Sequence, residues 1–269
     1  MESSQVYPPR FLMEESNMIN PSALSYMREV YGERLQENIP LSSYTTARVG
    51  GPADAAIIVR STDELVDVVN CSWEKDIPFF MIGGGSNLLV SDKGVRKLLI
   101  INRARKVEFF GDAKHPRAKA DSGATLNDIA QKAARSGYGG FEWAATIPGS
   151  LGGAIYGNAG AYHGEMSRNL NSIDLIHRQS GLQTWPVEKL AYSYRSSLLK
   201  REHQAVVILS AELSFSKSTS ESIRRTMEQN ATHRRNHQPH GASMGSIFKN
   251  PPGDFAGRLI EAAGLKESE

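Results

Sequence analysis

Ile147-Pro148-Gly149-Ser150-Leu151-Gly152-Gly153-Ala154-Ile155-Tyr156-Gly157-Asn158-Ala159-Gly160-Ala161 is the stretch on which the fold of this chain turns. Five of its fifteen residues are glycine, and nearly all the rest are small or apolar. Glycine has no Cβ, so its backbone reaches φ > 0 and can lie close against a ligand. Such a run presents its N–H groups as a nest, and nests hold anions, phosphates above all. A second loop, Gly83-Gly84-Gly85-Ser86-Asn87, follows the apolar run Pro78-Phe79-Phe80-Met81-Ile82. Two glycine loops predict an extended ligand with more than one phosphate, such as a dinucleotide, and hence a cofactor enzyme.

Two plainer readings compete with that one. Residues 143–164 hold no Asp, Glu, Lys or Arg over 22 positions, the length of a membrane span. Six of those residues are glycine and one is Pro148, which makes a poor helix. A membrane span is therefore set aside. Ordinary structural turns remain the other alternative.

The 269 residues suggest roughly two domains. The 31 basic and 29 acidic residues give a net charge of +2, which leaves no basic footprint for nucleic acid. Cys71 is the single cysteine, so no intrachain disulfide forms, and a cytoplasmic setting is expected. The first residues carry Glu2, Glu14 and Glu15 and no apolar signal region. Cys71 lies in a helical pattern with Leu65, Val68, Val69 and Ser72, and is read as a small buried hydrophobe. No obligatory protein partner is evident.

Residues 1–19 look irregular. A helix is predicted from Asn20 as N-cap with Pro21 first, its apolar stripe being Leu24, Met27, Tyr31 and Leu35. Ala55–Val59 reads as a buried strand, and Ser61 with Glu64 as a capping box opening the next helix. Phe79–Ile82 and Lys97–Ile101 are predicted strands. Thr125 caps a helix carrying Leu126, Ile129, Ala130 and Ala133 that stops at Gly137. Ile173–Ile176 and Ala205–Leu213 are predicted strands, and Ser220–His233 a polar helix. The mixture argues α+β rather than a regular βαβ alternation. No lysine follows either glycine run as a Walker loop requires, and Gly83–Leu88 lacks the third glycine of the Rossmann fingerprint. A dinucleotide site here is therefore non-Rossmann.

Five motifs occur in order: Tyr44-Thr45-Thr46-Ala47-Arg48-Val49-Gly50-Gly51-Pro52-Ala53-Asp54; Gly83-Gly84-Gly85-Ser86-Asn87-Leu88-Leu89-Val90; Ile147-Pro148-Gly149 with Gly152-Gly153 and Asn158-Ala159-Gly160-Ala161; Tyr194-Arg195-Ser196-Ser197; and Gly245-Ser246-Ile247-Phe248-Lys249-Asn250-Pro251. Together, from about Leu41 to Lys266, they closely resemble the UDP-N-acetylenolpyruvoylglucosamine reductase family, in its shorter second type. The resemblance implies a non-Rossmann FAD-binding fold of the vanillyl-alcohol-oxidase type, plus a smaller α+β substrate domain, incomplete here. It implies an N-terminal extension and helix (1–38), two FAD-binding subdomains (39–105 and 106–215) and a substrate-binding domain (216–269). It also implies NADPH as hydride donor and a UDP-sugar enolpyruvyl ether as substrate, reduced to UDP-N-acetylmuramate for peptidoglycan.

The same resemblance distributes the site. Gly83, Gly84, Gly85, Ser86 and Asn87 meet the FAD pyrophosphate. Ile147, Pro148, Gly149 and Gly153 approach the pyrophosphate and isoalloxazine, and Asn158 and Gly160 continue that wall. Arg195 stabilises charge developing on the substrate carboxylate, for which its planar fork is suited. Ser246 is the proton donor, with a turn cap as its plainer role. Tyr194, Lys249 and Asn250 bind substrate. Family members normally have glycine after Lys266, where Glu267 stands here, and continue into a tail with a late catalytic glutamate. No residue of this sequence takes that glutamate's role. Two other functions therefore stay open: a catalytically incomplete FAD-binding module, and a related FAD-linked oxidase.

His233, His237 and His240 have spacing that could suit a metal, but Pro239 should break the helix before His240 and no metal is expected. Arg224-Arg225 and Arg234-Arg235 read as solvated helix charges, with contact to a substrate diphosphate as the alternative.

Overall fold

The computed structural model describes residues 19–112, 114–238 and 241–265. In chain order they form α1 (Pro21–Tyr31), β1 (Leu35–Pro40), β2 (Pro52–Val59), α2 (Thr62–Glu74), β3 (Phe79–Ile82), β4 (Val95–Asn102), β5 (Val107–Gly111), β6 (Pro116–Asp121), α3 (Leu126–Arg135), β7 (Tyr138–Gly139), α4 (Leu151–Gly157), β8 (Gly160–Ala161), β9 (Gly164–Glu165), α5 (Met166–Asn169), β10 (Leu170–His177), β11 (Gly181–Pro186), α6 (Leu198–Glu202), β12 (Val206–Ser214), β13 (Ser216–Lys217), α7 (Ser220–His237) and α8 (Ala256–Ala262).

One sheet has the order β1-β2-β4-β3, with β1 antiparallel to β2 and β2, β4 and β3 parallel. Its central strand β4 is buried on both faces. Leu98 and Ile100 join α1, α2 and three residues of the second sheet (Ile176, Val207 and Leu209), while Leu99 and Ile101 pack with Leu41, Ala56 and Ile82. All four are fully buried, and each contributes about 1.5–3 kcal/mol. That continuous apolar run is what a two-sided parallel strand requires.

The second sheet, β11-β10-β12-β6-β5, is antiparallel throughout. One face packs Ala118, Ala120, Ile173, Ala211 and Leu213 against Leu126, Ile129 and Ala133 of α3 and Leu151 and Ile155 of α4. Mixed sheets and helices in this order give the α+β class.

Local chemistry sets the helix starts. Asn20 accepts from Ala23 N–H at 2.8 Å with Pro21 first in the helix. Thr125 accepts from Asp128 N–H at 3.2 Å. Ser61 accepts from Glu64 N–H at 3.1 Å, but the Glu64 carboxylate returns to Arg60 N–H, one residue before the cap. Such caps are worth about 1 kcal/mol each.

Three expectations need correction. Leu35 is not in the first helix: the helix ends at Tyr31, and Leu35 opens β1 and pairs with Ile57. Cys71 is only half-buried, at the rim of the core beneath α1. The polar helix extends beyond His233 to His237. The stretch 143–164 is broken into short pieces, and no helix among the described residues is long and apolar enough to cross a membrane.

On the polar face of the second sheet, Asp174 accepts from Lys119 Nζ, from Thr184 Oγ1 at 2.7 Å and from Ser210 Oγ at 2.9 Å. Partial burial pushes its carboxyl up, but these donors outweigh burial and hold it below the usual carboxylate value. A carboxyl depressed in the folded state stabilises it above the ordinary carboxylate pKa, and that contribution fades as pH falls through the folded value. Asp174→Asn should therefore lose less stability than the parent between neutral pH and about pH 3. Urea melts at the two pH values check this, and identical acid sensitivity in both proteins would contradict it.

Candidate active site

The first glycine loop leaves β3 and folds directly onto the second. A Cβ on Gly83 would lie 2.0 Å from Ser150 Oγ, and one on Gly84 would lie 3.1 Å from Gly149 Cα. Gly85 has φ +62, and a Cβ there would sit 1.9 Å from the Tyr44 carbonyl oxygen. Ser86 Oγ donates to Pro148 O at 2.9 Å. Below the contact, Thr125 faces Ser150 as an isolated bridge, with Leu126 N–H donating to Gly149 O and Leu151 N–H to Ala124 O.

The polarity of the first loop follows from its hydrogen bonds. Its carbonyls are engaged: Gly83 O accepts from Arg103 Nη1 and Gly85 O from Thr46 N–H at 3.1 Å. The backbone N–H groups of Gly83, Gly84, Gly85, Ser86 and Asn87 donate to no acceptor among the described residues. Five consecutive donors left facing outward make a nest that suits a diphosphate. The second loop differs from expectation. Leu151–Gly157 is a helix despite Gly152 and Gly153, because Leu151, Ala154 and Ile155 are buried. The N–H groups of Leu151, Gly152, Ala154, Asn158 and Ala159 are used within the fold. Residues 147–161 are therefore a wall with few free donors, and the nest lies at 83–87.

Ile147 and Pro148 are half-buried and Gly149 is exposed. Beside them Thr146 Oγ1 is buried with no partner. Gly153 is exposed along α4. Asn158 closes α4 in the left-handed conformation, φ 45. Its buried side chain accepts from Ser167 N–H at 3.1 Å and donates to Ser193 O at 3.2 Å. The second of these bonds brings the Tyr194-Arg195 turn to the wall. Ser193 and Ser196 exchange backbone bonds of 3.0 and 3.1 Å, which forces Arg195 to φ 55. A left-handed residue with a side chain costs about 1–2 kcal/mol. The Arg195 guanidinium donates to Asn158 O at 3.3 Å and to Gly160 O, and lies over the half-exposed Tyr194 ring. Arg195, Asn158 and Gly160 thus form one unit.

The motif at 245–251 arrives by another tie. Thr46 Oγ1 donates to Ser243 O at 2.6 Å, and Ser243 N–H donates to Thr46 O at 3.2 Å. Thr46 therefore links the first glycine loop to the segment that carries Ser246. Ser246 is exposed and its hydroxyl has no hydrogen-bond partner among the described residues, so it is not joined to Arg195. The Asn250 side chain accepts from Ala256 N–H at 3.1 Å, which anchors α8. Burial lowers the pKa of Lys200, and the positive charge of Lys249 lowers it further, which places Lys249 near α6. Lys200 Nζ in turn donates to Arg195 O at 3.2 Å.

Thr46, Ser150, Arg103 and Lys200 had no role in the sequence-based account. Thr46 and Ser150 sit inside quoted motifs and were findable there; Arg103 and Lys200 carried no local signal. Of the α7 arginines, Arg225 pairs with Glu221 at 3.8 Å, and Arg235 bonds Thr232. Arg234 is not a solvated charge: it donates to Thr146 O at 2.7 Å. His233 and His237 stack at 4.2 Å, and His240 lies outside the described residues. No group of three metal-ligating side chains occurs among the described residues.

The fold and the nest define an FAD-binding protein of the non-Rossmann kind. Residues 53–184 match the family model of the FAD binding domain. Cholesterol oxidase from Brevibacterium sterolicum shares the fold, with a TM-score of 0.51 at 13% identity over 68% of this chain and 37% of that one. Residues 237–269 match the model of the UDP-N-acetylenolpyruvoylglucosamine reductase C-terminal domain. The UDP-N-acetylenolpyruvoylglucosamine reductase of Caldanaerobacter subterraneus subsp. tengcongensis is 37% identical over 243 residues, 89% of this chain and 78% of that protein. The one from Rubrobacter xylanophilus is 40% identical over 84% of this chain and 75% of its own length. The crystal structure of UDP-N-acetylenolpyruvylglucosamine reductase from Thermus caldophilus superposes with a TM-score of 0.73 at 34% identity, covering 87% of this chain and 81% of that one. The chain belongs to the UDP-N-acetylenolpyruvoylglucosamine reductase family.

The residues present fit a flavin dinucleotide. The nest supplies free donors, the side-chain-free surface allows close approach, and the orphaned Thr146 hydroxyl lies against the wall. Gly83→Ala should force the two loops apart and weaken FAD binding by about tenfold or more. Adding Ser150→Gly removes the obstructing atoms and should restore affinity, as read by flavin fluorescence on titration. If Gly83→Ala alone binds FAD like the parent, the loop contact does not shape the cradle.

Proposed function

We propose that this chain reduces UDP-N-acetylglucosamine enolpyruvate to UDP-N-acetylmuramate, with FAD as bound cofactor and NADPH as hydride donor, as a cytoplasmic step of peptidoglycan precursor synthesis. The observation that carries the proposal is the junction of the glycine wall with Arg195, where two carbonyls of the wall hold the guanidinium that the chemistry needs.

FAD, when bound, supplies the hydride exchange between the nicotinamide donor and the enolpyruvyl group. The substrate is an enol ether conjugated to a carboxylate. Hydride adds at its methylene carbon, and negative charge spreads onto the carboxylate. Arg195 uses two N–H groups on Asn158 O and Gly160 O, which leaves the rest of its five-donor fork for that carboxylate. The fixed fork stabilises the enolate-like charge without reorganising. The adjacent carbon then takes a proton from the Ser246 hydroxyl. Geometry matters more than acidity for such a group. The exposed Ser246 segment must therefore settle against the wall when substrate is present. Lys249, close to Lys200, supplies positive charge for the substrate's diphosphate, and Tyr194 offers a half-exposed ring beside the guanidinium. Asn250 acts through its hold on α8.

Ser246→Ala should leave anaerobic bleaching of the flavin by NADPH intact and slow its recolouring by the enolpyruvyl substrate by roughly 10²–10⁴-fold. Arg195→Lys should slow recolouring as well, because an ammonium lacks the bidentate fork. Stopped-flow absorbance separates the two half-reactions. Undiminished recolouring in Ser246→Ala would remove Ser246 from its role. Rapid reoxidation by oxygen with peroxide release in the parent protein would favour an oxidase instead.

A further inference from the structure

The carboxyl edge of the parallel strands carries three arginines outside the site described above. Val59 of β2 and Asn102 of β4 are register partners, and Arg103 N–H donates to Val59 O at 2.7 Å. Arg60 and Arg103 therefore leave the same edge on adjacent strands. Ile82 of β3 pairs with Ile101 of β4, so the first glycine loop starts at that edge too. Arg103 Nη1 reaches Gly83 O, and Arg105 follows two residues later.

None of these three guanidinium groups has an ion-pair partner among the described residues. Two carboxylates near this edge are already engaged. Glu64 accepts from Arg60 N–H and pairs with Arg34, and Asp121 accepts from Thr62 Oγ1 and Lys106 N–H. The side-chain bonds of Arg103 go only to the carbonyls of Gly83 and Asn102, both from Nη1. Burial, followed by the charge of Arg105, lowers its pKa, and Arg60 adds to the effect. A half-buried cation flanked by two others and lacking a carboxylate is costly unless an anion meets it. Arginine forks match phosphate oxygens bidentately. In open sheets, ligands bind just outside the carboxyl ends of parallel strands.

We propose that Arg60, Arg103 and Arg105 form a phosphate-binding cluster that takes the diphosphate of the adenosine half of FAD where it leaves the nest at Gly83–Asn87. The inference rests on the FAD reading above. The cluster extends the nest: backbone donors hold one side of the diphosphate, and the guanidinium groups neutralise the other. It also accounts for Arg103 bonding a loop carbonyl, which keeps the loop's N–H groups turned toward the ligand.

The test titrates the full chain, stripped of flavin, with FAD and with riboflavin at low and high salt, following flavin fluorescence. Arg60→Ala/Arg105→Ala removes two exposed side chains and should leave the thermal unfolding midpoint unchanged. We expect it to weaken FAD binding about tenfold or more and to flatten its salt dependence. Riboflavin, which has no phosphate, should bind the variant and the parent alike. Arg103→Lys, which keeps the charge and loses the fork, should fall between them.

Unchanged FAD affinity and salt slope in the double variant would overturn the proposal. An equal loss for FAD and riboflavin would also overturn it, because the arginines would then act through the fold. A raised KM for NADPH with intact FAD affinity would assign the cluster to the nicotinamide donor's phosphates instead and would equally overturn it. A folded parent protein that binds no FAD would fail at the earlier step, and both readings would fall together.

Discussion

The structure depends on two stretches of backbone touching with almost no side chain between them. Gly83 and Gly84 lie on Gly149 and Ser150 so closely that a single added carbon would overlap Ser150 Oγ. That contact joins the parallel sheet to the antiparallel one at the point where a ligand enters. It also fixes polarity. The loop carbonyls turn inward to Arg103 and Thr46, so its N–H groups turn outward. A backbone with spare donors on one side attracts an anion without a lysine or a helix of useful length.

The rest of the site hangs from this contact by short polar ties rather than by apolar packing. Asn158 holds the turn at 193–196, and that turn presents Arg195 back to the carbonyls of Asn158 and Gly160. Several non-glycine residues with positive φ gather here: Asn158, Tyr162, His163 and Arg195. Strain of this kind persists where surrounding bonds over-determine the backbone, and it marks places where position matters more than stability. Thr46 does the corresponding work for the Ser246 segment, reaching Gly85 on one side and Ser243 on the other. The C-terminal segment carries exposed Ile247, Phe248, Phe255 and Leu259 and is held by few such ties. Its catalytic geometry is accordingly less fixed than that of Arg195.

Much of the fold was legible from the sequence. The caps at Asn20, Ser61 and Thr125 are local events between residues three apart, so spacing reveals them. The buried strand at 98–101 shows as an unbroken apolar run. Harder to read were the strands β5, β6 and β11, whose exposed faces break the pattern: β11 carries Gly181, Leu182 and Gln183 and is stabilised by pairing with β10. Helix α4 was also missed, because two glycines at its start argue against a helix and only burial of Leu151 and Ile155 overrides them. Leu35 continued the helical stripe by spacing, yet the chain turned at Gly32 and the residue joined a strand. At the site, both glycine loops and the Tyr194-Arg195 turn were evident as motifs. Their contacts were not, since Asn158 and Ser193 are 35 residues apart.

The sequence by itself determined the α+β class, the two glycine loops, their non-Rossmann character and the family, because each is written in residue types at short spacings. Only the tertiary structure decided which loop keeps its N–H groups free, that Arg195 rests on the wall's own carbonyls, that Arg234 binds Thr146 rather than solvent, and that three arginines converge at one sheet edge. Those outcomes depend on strand register and on competition for backbone donors between segments distant in the chain. No local pattern records how that competition ends.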